Sequence, residues 1–183
     1  MIEVRRAIVD DARELVRLRG VMLAAVNGVE PEPGQWQVAA VETLCQRLAD
    51  PDGSLAAFVV DQPDGPGGLA ACAVGVIECR LPSPDNPRGE VGYVFNVATD
   101  AAYRRRGYSR ACMEALLGWY QRRAVRKIDL GASAEGEPLY RALGFVPRSS
   151  PAMRLTIASG RPVGPAGRQV SPAGGQVSPP VGN

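Results

Sequence analysis

Two β-rich apolar runs, Leu55 to Val60 and Leu69 to Cys79, flank Asp61 to Gly68, a segment holding Pro63, Gly65, Pro66, Gly67 and Gly68. Pro and Gly at that density read as a turn, so the two runs are predicted to be strands joined by it. A third run, Val91 to Thr99, follows a Pro-rich loop, Leu81 to Gly89. Ile2 to Ala7 alternates apolar and charged residues as a half-buried strand does. Ile128, Leu130 and Ala132 alternate in the same way, and so do Met153, Leu155 and Ile157. The first helix is predicted after Asp10 and Asp11, which offer an N-cap, with Glu14 three residues past Asp11 and Leu15, Leu18, Met22 and Val26 at helical spacing. A loop with Gly28, Pro31, Pro33 and Gly34 ends it. The second helix is predicted from Gln37 to Ala49, burying Val41, Leu44, Cys45 and Leu48. The third spans Gly107 to Arg123, with Tyr108, Cys112, Ala115, Leu116 and Trp119 on one face. A short fourth starts near Pro138 and stops at Gly144. The resulting order, β, α, α, β, β, β, α, β, α, β, predicts an α+β fold around one sheet with helices on both faces.

The 183 residues suffice for one domain with a hydrophobic core and are too few for two comfortable ones. From Ser159 onward Gly and Pro dominate, aromatics vanish, and Gln-Val-Ser-Pro occurs twice, at 169–172 and 176–179. Such a stretch cannot bury enough apolar surface to offset its ordering entropy. The expected division is therefore a folded domain over 1–158 and a disordered tail over 159–183. A net charge of +2 is too small to point to nucleic acid. No apolar run is long enough to span a bilayer. The N-terminus carries charges where a signal peptide needs its apolar stretch, so a cytoplasmic location is expected.

The chain contains no histidine, which excludes Ser-His-Asp and Cys-His machinery and removes the commonest zinc ligand. No metal site is expected. Proton chemistry must use carboxylates, tyrosine, lysine, water or an amine. The four cysteines, Cys45, Cys72, Cys79 and Cys112, form no CxxC pair and lie in apolar stretches, so they read as free buried thiols.

The segment Arg104-Arg105-Arg106-Gly107-Tyr108-Ser109 follows a strand and opens a helix. Glycine adopts dihedrals that other residues avoid, and the amides of a first helical turn lack intrahelical partners. With the helix dipole they suit a phosphate, and arginines add charge for further phosphate groups. Taken alone, the turn fits a phosphate loop or a solvated basic cap equally. No Lys-Ser/Thr follows the glycine, which sets it apart from nucleotide phosphate loops.

This junction resembles the Arg/Gln-x-x-Gly-x-Gly/Ala motif of the GCN5-related N-acetyltransferases (GNAT). Arg104, Gly107 and Ser109 stand in its places, Thr99 holds the Val-like position five residues earlier, and Tyr103 is the aromatic before the motif. Leu139-Tyr140-Arg141-Ala142-Leu143-Gly144-Phe145 matches the Leu-Tyr-x-x-x-Gly-Phe that closes a short helix in many members. The resemblance is strong from Val91 to Phe145. Ser109, Ser133 and Gly136 depart from the usual Gly/Ala, Asn and Ala.

The resemblance implies a mixed, mostly antiparallel sheet, with acetyl-CoA lying in a V between the strand ending at Thr99 and Ile128 to Ala132. Val97 and Thr99 would meet the pantetheine arm through their backbones. Arg104 and the amides of Arg105, Arg106, Gly107, Tyr108 and Ser109 would hold phosphate, and Ser133 would face the arm. Tyr140 is the candidate general acid toward the departing sulfur, with a packing tyrosine as the alternative. Glu78 is named as base beside Glu90 or a water chain. Asn96 is expected at a strand bulge, and Trp36 either lines the acceptor pocket or packs. The implied activity is transfer of acetyl from acetyl-CoA to a primary amine, small molecule or peptide. The alternative is a non-catalytic acyl-CoA-binding module. Neither nucleic acid nor membrane is an expected partner, and a homodimer is left open.

Overall fold

The computed structural model describes residues 2–65, 67–149 and 152–156. The chain divides into two units, Met1–Val146 and Pro147–Asn183. The described part of the second unit, 147–149 and 152–156, contains no helix or strand. The expected strand through Met153 and Leu155 is therefore absent: three alternating apolar residues are too short a run for periodicity to decide. Ile157 and the tail over 159–183 lie outside the described residues.

In the first unit the two apolar runs form β2 (Leu55–Asp61) and β3 (Leu69–Cys79), paired antiparallel. The Gln62 amide donates to the Gly68 carbonyl at 2.9 Å and closes the turn between them. β1 (Arg5–Arg6) pairs with β2, and β4 (Glu90–Thr99) pairs with β3, both antiparallel. β5 (Ile128–Leu130) runs parallel to β4. The sheet order is β1-β2-β3-β4-β5. Among the described residues the unit also holds four α-helices, α1 (Ala12–Asn27), α2 (Gln35–Leu48), α3 (Tyr108–Arg122) and α4 (Glu137–Ala142), and two short 3-10 turns.

The central strands are apolar at nearly every position because both faces are covered. Ala56, Phe58 and Val60 pack with Cys112, Leu116 and Trp119 of α3. Leu55, Ala57 and Val59 pack with Leu15 and Leu18 of α1 on the opposite face. Removing one such buried leucine costs about 2–5 kcal/mol.

The β3–β4 ladder changes register once. Val74 faces Asn96 while Gly75 faces Val94, so Phe95 is the extra residue of a β-bulge. Beside it lies Tyr120, fully buried, whose hydroxyl donates to the carbonyls of Val76 and Tyr93 at 3.2 Å each. Two glycines make room for it. A Cβ on Gly75 would stand 2.2 Å from that hydroxyl, and one on Gly92 would stand 2.8 Å from the ring.

Several local expectations need correction. β1 holds two residues rather than Ile2 to Ala7, and β5 stops at Leu130 rather than Ala132. Asp11 does not cap α1 with its side chain; its carboxylate accepts from the Ile8 amide at 2.8 Å and pairs with Arg5. Glu14 reaches across instead, accepting from the Leu69 amide at 3.0 Å and so fastening α1 to β3. Val41, Leu44, Cys45 and Leu48 of α2 are half-buried only, because α2 lies against α1 at the border of the unit. Cys72 and Cys112 are buried and free as expected, whereas Cys79 is exposed at the end of β3.

Candidate active site

β5 pairs with β4 only across Gly92, Tyr93 and Val94. Beyond those residues β4 continues to Thr99 without β5 beside it, and its outer edge there has no strand partner. A V-shaped opening follows, with β4 as one arm and the chain after Leu130 as the other. A cleft of about 270 Å³ lies here, lined by Val97, Thr99, Arg104, Arg105, Ser109, Ser133 and Tyr140 among others. These seven come from four separated stretches, and all of them were singled out from the sequence.

At the mouth of the V the chain turns tightly. Asp100 leaves β4, accepts from the Ala102 amide at 3.2 Å and binds the Arg17 guanidinium at 2.6 Å. Burial works against its ionisation, but Arg17 and the amide outweigh it and hold the carboxyl below its ordinary range. The chain then passes Arg105 at φ 62 and Gly107 at φ 82. A left-handed arginine is uncommon and costs backbone energy. The first intrahelical bond of α3 runs from the Ala111 amide to the Gly107 carbonyl at 3.0 Å. The amides before it therefore have no helical partner. Thr99 Oγ1 and Ser109 Oγ, 2.5 Å apart, clasp the end of β4 to the first turn of α3.

The other named residues are placed differently. Arg106 folds back, its guanidinium 5.3 Å from the centre of the buried Tyr103 ring. Arg106, Gly107 and Tyr108 do not line the cleft with their side chains. Tyr140, on α4, packs edge-on to Phe145 with ring centres 6.1 Å apart. Burial raises its phenol above the ordinary value of 10.0. Glu78 lies opposite Val91 and pairs with Arg80 at 2.7 Å. Val97 lies opposite Ala73, five residues back along β3, which is roughly 17 Å at the strand rise. The structure thus does not bring Glu78 to the cleft.

Asn96 sits at the bulge, as the family resemblance implies, and is 3% exposed. Its Nδ2 is 3.6 Å from Cys72 Sγ, and its Oδ1 has no hydrogen-bond partner among the described residues. Trp36 lines a second, larger groove of about 1080 Å³ between α1 and α2, and its Nε1 donates to the Glu32 carbonyl at 3.0 Å. The groove adjoins the cleft: Val21, Ala25, Arg104 and Glu135 line both.

Sequence reasoning missed the part played by α1. Met22 and Val26, set on one face by their spacing, line the cleft together with Val21 and Ala25, and Met22 also packs against the core. Helical periodicity marks an apolar face and does not tell a packed face from one that borders a cleft. Glu135 carried no local signal either.

Compared with known families, residues 22–145 match the acetyltransferase (GNAT) family. The chain belongs to the GNAT acetyltransferases. Solved structures carry the same fold. A predicted acetyltransferase from Clostridium acetobutylicum, solved with acetyl-CoA, is 24% identical with a TM-score of 0.73, over 85% of this chain and 96% of that one. A GCN5-related N-acetyltransferase from Ralstonia eutropha JMP134 is 24% identical with a TM-score of 0.68, over 85% and 99% of the two chains. Glucosamine-6-phosphate N-acetyltransferase from Arabidopsis thaliana is 17% identical with a TM-score of 0.66, over 85% and 98%. No curated protein matches the chain by sequence. The mixed sheet of this GNAT acetyltransferase, antiparallel except at β4–β5, is the one its motifs imply. Among the described residues no helix is long and apolar enough to cross a membrane.

Proposed function

We propose that this acetyltransferase moves the acetyl group of acetyl-CoA to a primary amine by direct attack of the amine on the thioester. The observation that carries the reading is the cleft itself, in which the unpaired edge of β4, the strained turn before α3 and the Tyr140 side chain face one space.

The donor set suits the co-substrate. Free backbone groups beyond Val94 match an extended amide-bearing arm such as pantetheine. The unpartnered amides of Gly107, Tyr108 and Ser109, with left-handed Arg105 and Gly107 turning the chain around them, match a pyrophosphate. Arg104 and Arg105, both exposed at the mouth, add counter-charge, and Ser133 adds a hydroxyl beside the arm. Acetyl-CoA supplies the activated acyl group. Tyr140 is assigned as the acid that protonates the departing sulfur; burial keeps its phenol protonated at neutral pH. Glu78, tied to Arg80 away from the cleft, is not carried into the mechanism as base, and the amine proton leaves through water. The location is proposed to be cytoplasmic.

Among the described residues the exposed Glu135 is the one carboxylate lining the cleft, and no buried base faces it, which favours one competing reading, an acyl-CoA-binding module without turnover. Thiol release from acetyl-CoA in the presence of an amine panel separates the two. Release that depends on the amine supports the enzyme. Calorimetric binding of acetyl-CoA without release from any amine would replace it with the binding module.

A further inference from the structure

The groove between α1 and α2, about 1080 Å³, lies mostly outside the cleft and has its own polarity. It follows α1 from Arg13 to Ala25, a length of roughly 18 Å at the helical rise. Gly20 lies on its wall, and nothing stands within 4 Å of where a Cβ would be. Glycine inside a helix is less stable than alanine, so the space is kept open against the helix's own preference. Its charges are separated. Arg13 lies at the start of α1, while Glu30 and Glu32 sit in the loop after α1, and Glu135 lines both groove and cleft. Among the described residues none of these four side chains has an ionic partner. Arg17 does not count as free, because Glu14, Asp100 and the Leu69 carbonyl occupy it. Arg104 is taken by the phosphate under the reading above.

We propose that this groove binds the acceptor as an extended peptide. Its free amino terminus lies among Glu30, Glu32 and Glu135, next to the cleft, and an acidic side chain four or five residues along lies at Arg13. The proposal rests on the acetyl-transfer reading for its chemistry and on the groove alone for its binding. An extended chain advances about 3.3 Å per residue, so about five residues span the groove. Trp36, Val21 and Val41 give side chains apolar surface to cover. A small amine would leave most of that surface wet, and a polyamine would set a cation against Arg13. In the transfer one N–C bond forms and one C–S bond breaks. The ammonium loses two protons: one is released to water, and the sulfur gains one.

The test uses the full chain with CoA bound and calorimetry of pentapeptides carrying Asp, Asn or Lys at positions four and five. Affinity should fall from Asp to Asn to Lys by about fivefold per step, the scale of an exposed charge pair. Acetylating the peptide's amino terminus beforehand should weaken binding by a similar factor. Arg13→Glu should reverse the order, which loss of fold would not do. Gly20→Leu, which meets open space, should not lower the melting temperature and should lower peptide affinity by about tenfold through occlusion. Equal affinities for the three peptides, an unchanged order in Arg13→Glu, or a linear polyamine binding more tightly than the Asp peptide would overturn the proposal. Binding in the expected order with no thiol release from acetyl-CoA would sink the acetyl-transfer reading and leave the peptide groove standing.

Discussion

At the β4–α3 junction the features that matter belong to the backbone: Arg105 and Gly107 at positive φ, unpaired amides at the start of α3, and a strand edge released beyond Val94. Along the α1–α2 groove they belong to side chains: Arg13 at one end, glutamates at the other, and Gly20 as a gap between. The first region gathers its parts from one consecutive stretch, 95–109. The second draws them from positions 13 to 135. Under the proposed reading, one region handles a carrier whose phosphates and amides any backbone can meet, and the other recognises a particular partner, which takes side-chain identity. A fold that keeps the first and rewrites the second keeps its reaction and changes its acceptor.

Gly107→Glu tests the backbone region most severely. It puts a non-glycine residue at φ 82 and a fixed negative charge beside the proposed pyrophosphate. Calorimetry should detect no acetyl-CoA binding while circular dichroism reports a folded chain; retained affinity would move the phosphate elsewhere. Tyr140→Phe should lower turnover by about 10²-fold, the scale of a lost positioned acid, with acetyl-CoA affinity little changed. Because burial raises the Tyr140 phenol, the wild-type rate should hold through neutrality and fall only as pH rises past 10.0, and that limb should vanish in the variant. A pH–rate profile that is the same in both would return Tyr140 to a packing role.

Acid addresses the join between the two regions. Asp100, where β4 meets α1 through Arg17, and Asp11, which holds Arg5, both have carboxyls below their ordinary 3.8. Burial opposes each ionisation, and the guanidinium and amide hydrogen bonds outweigh it. The unfolded chain binds these protons more readily than the folded one. Their stabilisation is therefore full above the ordinary carboxylate value and is lost as pH falls below it. Melting temperature followed from pH 5 downward should drop there, and less so in Asp100→Asn. The smallest effect belongs to the groove: Gly20→Ala should raise stability by about 1 kcal/mol, seen as a higher urea midpoint. A lower midpoint would mean that the groove closes on that position.

The contrast also decides what could be read without the structure. The hairpin of β2 and β3 was legible because both strands are continuous apolar runs broken by Pro and Gly. The junction was legible because its glycine and arginines are neighbours. The bulge beside Asn96 was expected only through the family resemblance and not from the strand's own residues, since the register of β3 against β4 depends on Tyr120 from another element. Glu78 looked chemical only because its run is apolar, whereas Arg80, two residues on, neutralises it. The spacing put Met22 and Val26 on one helix face but said nothing of the cleft that they border, because spacing gives a face and not what lies opposite.

Tyr120 and the glycines at 75 and 92 bind three distant positions into one inherited unit. Alanine at Gly75 would meet the tyrosine hydroxyl, and alanine at Gly92 would meet its ring. Each glycine is intolerant only while the tyrosine is present. A smaller residue at position 120 would free both, but it would release the Val76 and Tyr93 carbonyls from their donor beside the bulge. Single steps away from the trio are therefore all downhill in stability, and a lineage leaves it only by changing several positions at once. In a double-mutant cycle, Gly75→Ala and Tyr120→Leu should lose less together than the sum of their separate losses. The ladder that aims β4 at the cleft is thus held by epistasis as much as by hydrogen bonds.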